Sequence, residues 1–371
     1  MNIGLEIGSL SQNDDRLTAI SERAGRWASF MSFTSAALTV WLTIRPQIRG
    51  LNVNLVGYAM KILAGAFSPI LGLMGLAGGI LGRLSGRPLA GWVGPVGAFL
   101  AARFMQRVSN APGDFAEAFG EDWEKRLEAA TPAPRLARML RWRWQWGQVP
   151  FPPTPTMTQD VAFATVPGTD RELLCDLWEP SPAVPRSGVG VIYFHGGAWQ
   201  AFDKDVATRP FFRHLTAQGH VVMDVAYRMA RETDMAGMLG DVKRALAWMK
   251  RHGLQYGVDP DSVVLAGGSA GGHLAMLAAY TPNDADFDPE DVRDVDTSVR
   301  GVISYYGVPD LRTLEHHWSE QTMNPFATGL GQRLGFFPKE GYLSWSKLVR
   351  RLFGGPLDEV GADLLRYSPI A

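Results

Sequence analysis

The stretch Val263–Tyr280, VVLAGGSAGGHLAMLAAY, constrains the fold of this chain more than any other. An apolar β-branched run, Val263-Val264-Leu265, enters a turn of small residues with Ser269 at its apex, and an Ala/Leu/Met-rich helix leaves it. Gly267-Gly268-Ser269-Ala270-Gly271 fits G-x-S-x-G, where glycines keep side chains from colliding in a strained passage from strand to helix. Such a turn presents the serine hydroxyl, and the helix N-terminus aims free N–H groups and partial positive charge at any oxyanion forming there. With 41 glycines in 371 residues the five-residue pattern alone is weak. Its weight comes from the strand before it and the helix after it.

A chain of this length holds two domains, or one large domain with an extension. The formal net charge of -1 implies no polyelectrolyte partner, so nucleic-acid binding is not expected. The single cysteine, Cys175, lies in the strand-like run Leu173–Trp178 and reads as a small buried hydrophobe. One cysteine allows no intrachain disulfide and suggests no thiol metal site, and neither a metal nor another cofactor is expected.

The N-terminal part is apolar in long pieces. Residues 1–26 carry mixed charges and do not form the short basic start of a secretory signal. Trp27–Ile44 is uncharged, with tryptophan near each end and Arg26 and Arg45 just outside, a minimal transmembrane length. Its Ser/Thr content leaves an interfacial or buried soluble helix open. Ile62–Gly82 is also uncharged, and Gly72, Gly75, Gly78, Gly79 and Gly82 suit close helix approach in lipid. Pro88–Ala102, interrupted by Pro95, reads as interfacial or re-entrant. Two spans are expected, and Arg83, Arg87, Arg103 and Arg107 beyond the second favour a cytoplasmic C-terminal domain.

Asp114–Ala130 reads as a helix, and Arg135–Trp146, RLARMLRWRWQW, interleaves arginine and tryptophan. That run suits either a bilayer surface or docking on the following domain. Val149–Thr156 is a stiff proline-rich linker. The expected organisation is a membrane-associated helical region over 1–110, an amphipathic helix and linker over 111–156, and an α/β domain over 157–371.

In that last region strands at Val161–Val166, Leu173–Trp178, Val189–Phe194, His220–Val225 and Val299–Tyr306 alternate with helices at Val206–Gln218 and Met235–Arg251. Alternation implies a mostly parallel sheet with helices on both faces and a site at the strands' carboxyl ends. A second glycine turn, His195-Gly196-Gly197-Ala198-Trp199, sits at such an end, where backbone N–H groups can face a site.

FHGGAW followed by GGSAGGHLA resembles the α/β-hydrolase carboxylesterases of the hormone-sensitive-lipase-like group. VAYRMA, Asp241–Trp248 and Tyr256–Pro260 match that group's spacing, so the resemblance spans about residues 157–371. It implies Ser269 as nucleophile and the N–H groups of Gly197, Ala198 and Ala270 as an oxyanion hole, with His195 and Gly196 as structural support. Ala198 replaces the third glycine of the family's loop, and Ala226 stands where the family usually has aspartate.

In this fold the acid and histidine follow two later strands. The family's Ser-Pro-Ile run precedes the strand leading to the acid, and here Ser368-Pro369-Ile370 lies at the end of the sequence. The family's acid and base are therefore expected to be missing, and turnover to be weak. Asp310 is a minor candidate acid against a capping role. His273 is expected to pack or anchor a loop, and His316 and His317 are minor candidate bases. The leading expectation is a membrane-associated serine carboxylesterase acting on small-molecule or lipid esters. An amidase or formamidase of the same fold and a noncatalytic membrane or interaction protein are the alternatives.

Overall fold

Small residues at helical spacing build the N-terminal part. The computed structural model describes residues 4–43, 65, 67–109, 120–123, 125, 153–205, 208–314, 333 and 343–371. The chain folds as two units, Met1–Pro150 and Phe151–Ala371.

The first unit contains α1 (Gly4–Thr43), α2 (Ser68–Leu84) and α3 (Pro88–Ser109). They touch through backbone: a Cβ on Gly75 would lie 2.6 Å from Gly94 O, and one on Gly78 would lie 2.8 Å from Ser32 N. The break expected at Pro95 does not occur, because α3 runs straight through it. Gly79 makes room for the ring, since a Cβ there would meet Pro95 Cδ at 2.7 Å.

The two expected membrane spans are corrected as well. No described helix is long and apolar enough to cross a membrane. The apolar half of α1 is diluted by serine and threonine and continues a polar first half, and α2 (Ser68–Leu84) has only 17 residues. The helix expected at Asp114–Ala130 falls almost entirely outside the described residues, and the Arg/Trp run 135–146 does so completely.

In the second unit the apolar runs pair into one six-stranded sheet. β1 (Thr156–Thr165), β2 (Glu172–Glu179), β3 (Gly190–Phe194), β4 (Val221–Val225), β5 (Val263–Gly268) and β6 (Gly301–Tyr305) lie in the order β1-β2-β4-β3-β5-β6. β4, β3, β5 and β6 are parallel, whereas β1 and β2 run antiparallel to their neighbours. β3 and β4 are buried at every position, which is why their sequences carry no polar alternation apart from Asp224.

Helices cover both faces. α4 (Arg209–Thr216) places Phe212 against Val191, Tyr193 and Ala266. On the other face α5 (Met235–His252) and α6 (Ala270–Tyr280) pack Leu239, Leu246 and Leu274 with Ile192, Phe194 and Leu265. The Asp234 side chain caps α5 by accepting the Gly237 N–H at 2.8 Å, and Lys250, Arg251 and His252 close its last turn. α7 (Trp345–Phe353) adds Leu348, Val349 and Leu352 to the same core, and α8 (Gly361–Arg366) adds Leu364.

Candidate active site

β5 delivers Ser269 to the carboxyl end of the sheet at φ 52 and ψ -118, outside the ordinary regions for a residue with a Cβ. Its N–H donates to Tyr305 O at 2.9 Å, and its carbonyl accepts the His273 N–H at 2.9 Å as α6 begins. Ser269 is half-buried, and none of the described residues hydrogen-bonds to its hydroxyl.

The glycine turn after β3 lies beside it. A Cβ on Gly196 would stand 3.4 Å from Ser269 Cβ and 3.0 Å from Gly268 O. Gly197 (φ 132), Ala198 (φ 55) and Trp199 (φ 60) then turn through the left-handed region in succession. At Ala198 a methyl group occupies a conformation that glycine adopts without cost, a strain of about 1–2 kcal/mol. The N–H groups of Gly197, Ala198 and Ala270 donate to no other described residue, so they are available to an incoming oxygen.

Several tethers hold this turn. Ala230 N–H donates to Trp199 O at 2.7 Å, and Leu343 N–H to Gln200 Oε1 at 2.7 Å. Trp199 Nε1 donates to His273 Nδ1 at 3.3 Å, which leaves the proton of His273 on Nε2 to reach Tyr367 O at 2.8 Å. Burial pushes His273 down to about 4, so it is a neutral bridge between the two turns and the C-terminal segment. His195 is also buried and held toward its neutral form, stacked 4.7 Å from the Tyr227 ring, whose hydroxyl donates to His195 O at 2.8 Å. His273 uses both ring nitrogens in this support, whereas His195 lies with Nδ1 2.7 Å from Gly196 O and with Nε2 buried without a partner among the described residues.

Asp310 is engaged elsewhere. Its carboxylate caps a 3-10 turn through the Arg312 N–H at 2.9 Å and pairs with the Arg312 guanidinium, which holds it below the usual carboxylate range. His316 and His317 lie outside the described residues. Among the described residues no cluster of His, Cys, Asp or Glu is arranged to hold a metal.

Three tyrosines escaped the sequence reading. Tyr193 and Tyr306 bring their hydroxyls to within about 3.5 Å of the Cβ that Gly268 lacks, and Tyr227 supports His195. Burial pushes Tyr193 up to about 12, so it stays a donor at neutral pH. The positions of Tyr193 in FHGGAW's lead-in strand and of Tyr306 after β6, both at carboxyl ends of strands, were the available signal.

Beneath the turn lies a carboxylate pair. Asp176 and Asp224 face one another across β2 and β4. Lys204 bridges Asp176 (2.9 Å) to Asp160 (2.7 Å), and Asp224 Oδ2 accepts the Asp205 N–H at 2.7 Å. Asp176 Oδ2 and Asp224 Oδ1 are buried without a partner. Burial, reinforced by Asp176 and Asp205, pushes Asp224 up to about 7. Because the folded value lies above the unfolded one, folding takes up a proton, and stability falls as pH rises from about 4 to about 7. Asp224→Asn, which keeps the acceptor for Asp205, is expected to flatten that fall and to stabilise the chain at pH 8 by about 1–3 kcal/mol. Thermal melts of both proteins from pH 4 to 8 check it, and parallel curves would sink the idea.

Parallel strands β4-β3-β5-β6 with glycine turns at the carboxyl ends of β3 and β5, the second carrying a strained serine, resemble the arrangement in α/β hydrolases. Residues 175–339 match the BD-FAE family model. Over 161 residues the chain is 37% identical to the probable carboxylic ester hydrolase LipM of Mycobacterium tuberculosis, covering 43% of this chain and 36% of that one. Esterase LipQ of the same organism is 35% identical over 170 residues, 46% and 39% of the two chains. Among solved structures, the apo form of Thermogutta terrifontis esterase 2 is 24% identical with a TM-score of 0.39, covering 59% of this chain and 67% of that one. The chain thus resembles ester hydrolases, and spans between a third and two fifths of the length of these two curated relatives.

Proposed function

We propose that the C-terminal unit is a serine carboxylic ester hydrolase whose nucleophile is Ser269. The observation that carries this reading is Ser269 held at φ 52 on the β5–α6 turn, with the glycine turn after β3 in van der Waals reach. Ser269 Oγ attacks the ester carbonyl carbon, and the electron pair moves to the carbonyl oxygen. The N–H groups of Gly197, Ala198 and Ala270 receive that oxyanion, a term that removal of one such donor shows to be worth about 3–4 kcal/mol. Its collapse breaks the bond to the alcohol, which departs with the proton that Oγ gave up, and leaves the acyl group on Oγ, from which water releases it as the carboxylic acid and returns a proton to Oγ.

A serine hydroxyl needs a base to become nucleophilic at neutral pH. His195 and His273 do not serve, since both are buried and held in the support of the turns. Small-molecule or lipid esters are the substrate class of this reading, and the likeness to chains named as ester hydrolases supports the ester part of it. Attachment of the N-terminal unit to a membrane completes the reading, and the charge-free stretches 27–43, 68–82 and 88–102 support it.

A fluorophosphonate probe followed by peptide mass mapping tests the chemistry. One adduct, on the peptide bearing Ser269, is expected, together with release of p-nitrophenol from p-nitrophenyl acetate. Labelling confined to another residue would refute the assignment.

A further inference from the structure

In water a helical bundle hides its large apolar side chains and shows its hydroxyls, and the N-terminal unit does the reverse. Ser32, Ser35, Thr39 and Ser68 are buried, as are Gly72, Gly75, Gly78, Gly79 and Gly82. Three of these four hydroxyls donate to helix carbonyls. Ser32 Oγ donates to Ala90 O at 3.0 Å and Ser35 Oγ to Leu71 O at 2.7 Å, both between helices, while Thr39 Oγ1 donates to Ser35 O at 2.7 Å. Outside stand Phe30 on α1 (57% exposed), Leu73 and Ile80 on α2 (63% and 60%), and Trp92 and Phe99 on α3 (70% and 66%).

We propose that the outer surface of α1, α2 and α3 is a lipid-binding surface whose occupant is the hydrocarbon of a bilayer. Where the solvent is itself apolar, nothing drives leucine inward, and helices meet on small residues and hydroxyls, as these do. A protein partner would cover one patch, whereas large apolar side chains stand outward on all three helices.

Charge is distributed accordingly. Residues 27–43, 68–82 and 88–102 contain no Asp, Glu, Lys or Arg. Arg87 lies against Gly25 of α1, so Arg26, Arg83 and Arg87 gather at one end of the helices. There the Arg83 guanidinium sits 5.7 Å from the centre of the Trp92 ring, a pairing suited to headgroup level. The charge-free part of α3 is about 22 Å long at 1.5 Å per residue, short of a hydrocarbon core of about 30 Å. The surface therefore beds in the bilayer without any one helix having to cross it. This inference deepens the membrane part of the proposed function and does not depend on the serine chemistry.

Flotation of the full chain with uncharged phosphatidylcholine vesicles tests it, since the arginines then contribute little. The protein is expected to float, and the triple variant L73E/I80E/F99E to reduce the floated fraction at least tenfold. Leu254→Glu, at a 72% exposed leucine of the other unit, leaves it unchanged. Ser269→Ala floats like the parent, which separates this surface from ester hydrolysis. The unsubstituted protein gives a readout free of any folding defect. Brominated phosphatidylcholine quenches its tryptophan emission, and Trp92→Phe removes a measurable part of the quenching. A chain that stays at the bottom of the gradient with emission insensitive to bromolipid, whether monomeric or self-associating with concentration, overturns the proposal.

Discussion

Replacing Ser269 by alanine is expected to abolish fluorophosphonate labelling and to lower ester turnover at least about 1000-fold, because no step of the acyl-enzyme route proceeds without Oγ. Replacing it by glycine is expected to be as inactive but more stable. At φ 52 and ψ -118 any Cβ crowds the backbone, a strain of about 1–3 kcal/mol that alanine retains and glycine relieves. Glycine's freer unfolded chain offsets about 0.4–1 kcal/mol of that gain. The net expectation is that Ser269→Gly unfolds about 1 kcal/mol above Ser269→Ala in urea. Equal stability of the two would mean the turn is not strained, and the serine would lose its claim to a conformation held for function. Activity left in either variant would place the nucleophile elsewhere.

The turn itself was legible in the sequence because its signals are local. A β-branched run, clustered glycines and a helix-forming run lie within the eighteen residues Val263–Tyr280, and the same holds for Val189–Trp199. The elements whose energetics depend on distant residues were not legible. β1 begins at Thr156, five residues before the expected start, because Thr158, Gln159 and Asp160 are exposed and give no apolar signal. His273 read as a packing or loop-anchoring residue, but the partners it anchors, Trp199 and the Tyr367 carbonyl 94 residues beyond His273, are not local to it. Asp310 read as a capping residue rather than an acid, and what the sequence did not show is the Arg312 guanidinium folded back on its carboxylate.

The N-terminal unit shows the same limit from the other side. Hydropathy marked the apolar runs, but pattern along one helix does not say which face meets its neighbours. Reading Pro95 as a break followed the rule for an isolated helix. The missing side chain of Gly79, sixteen residues earlier, is what lets α3 keep its course.

The same kind of close approach sets the largest stability effect expected in the chain, at Gly271. A Cβ there would lie 2.0 Å from Phe194 O and 2.5 Å from His195 O, both backbone atoms at the end of β3. Neither can swing aside as a flexible side chain would, so the first turn of α6 must back away from the sheet. That motion drags Ser269 from the Gly196 turn and breaks the stacking of Gly267 on Gly271, where a Cβ on Gly267 would already meet Gly271 O at 2.5 Å. Gly271→Ala is therefore expected to cost more than about 3 kcal/mol, as overpacking against a rigid wall does at its upper range, and to lose serine reactivity with it. Gly361→Ala is the control. A Cβ there meets nothing within 4 Å at the start of α8, and the exchange should be neutral or stabilising by up to about 1 kcal/mol. Urea titrations read by far-ultraviolet dichroism, with fluorophosphonate labelling on the same samples, compare the two. If Gly271→Ala matched Gly361→Ala in both readouts, the contact between the nucleophile helix and the oxyanion turn would not be what builds this site.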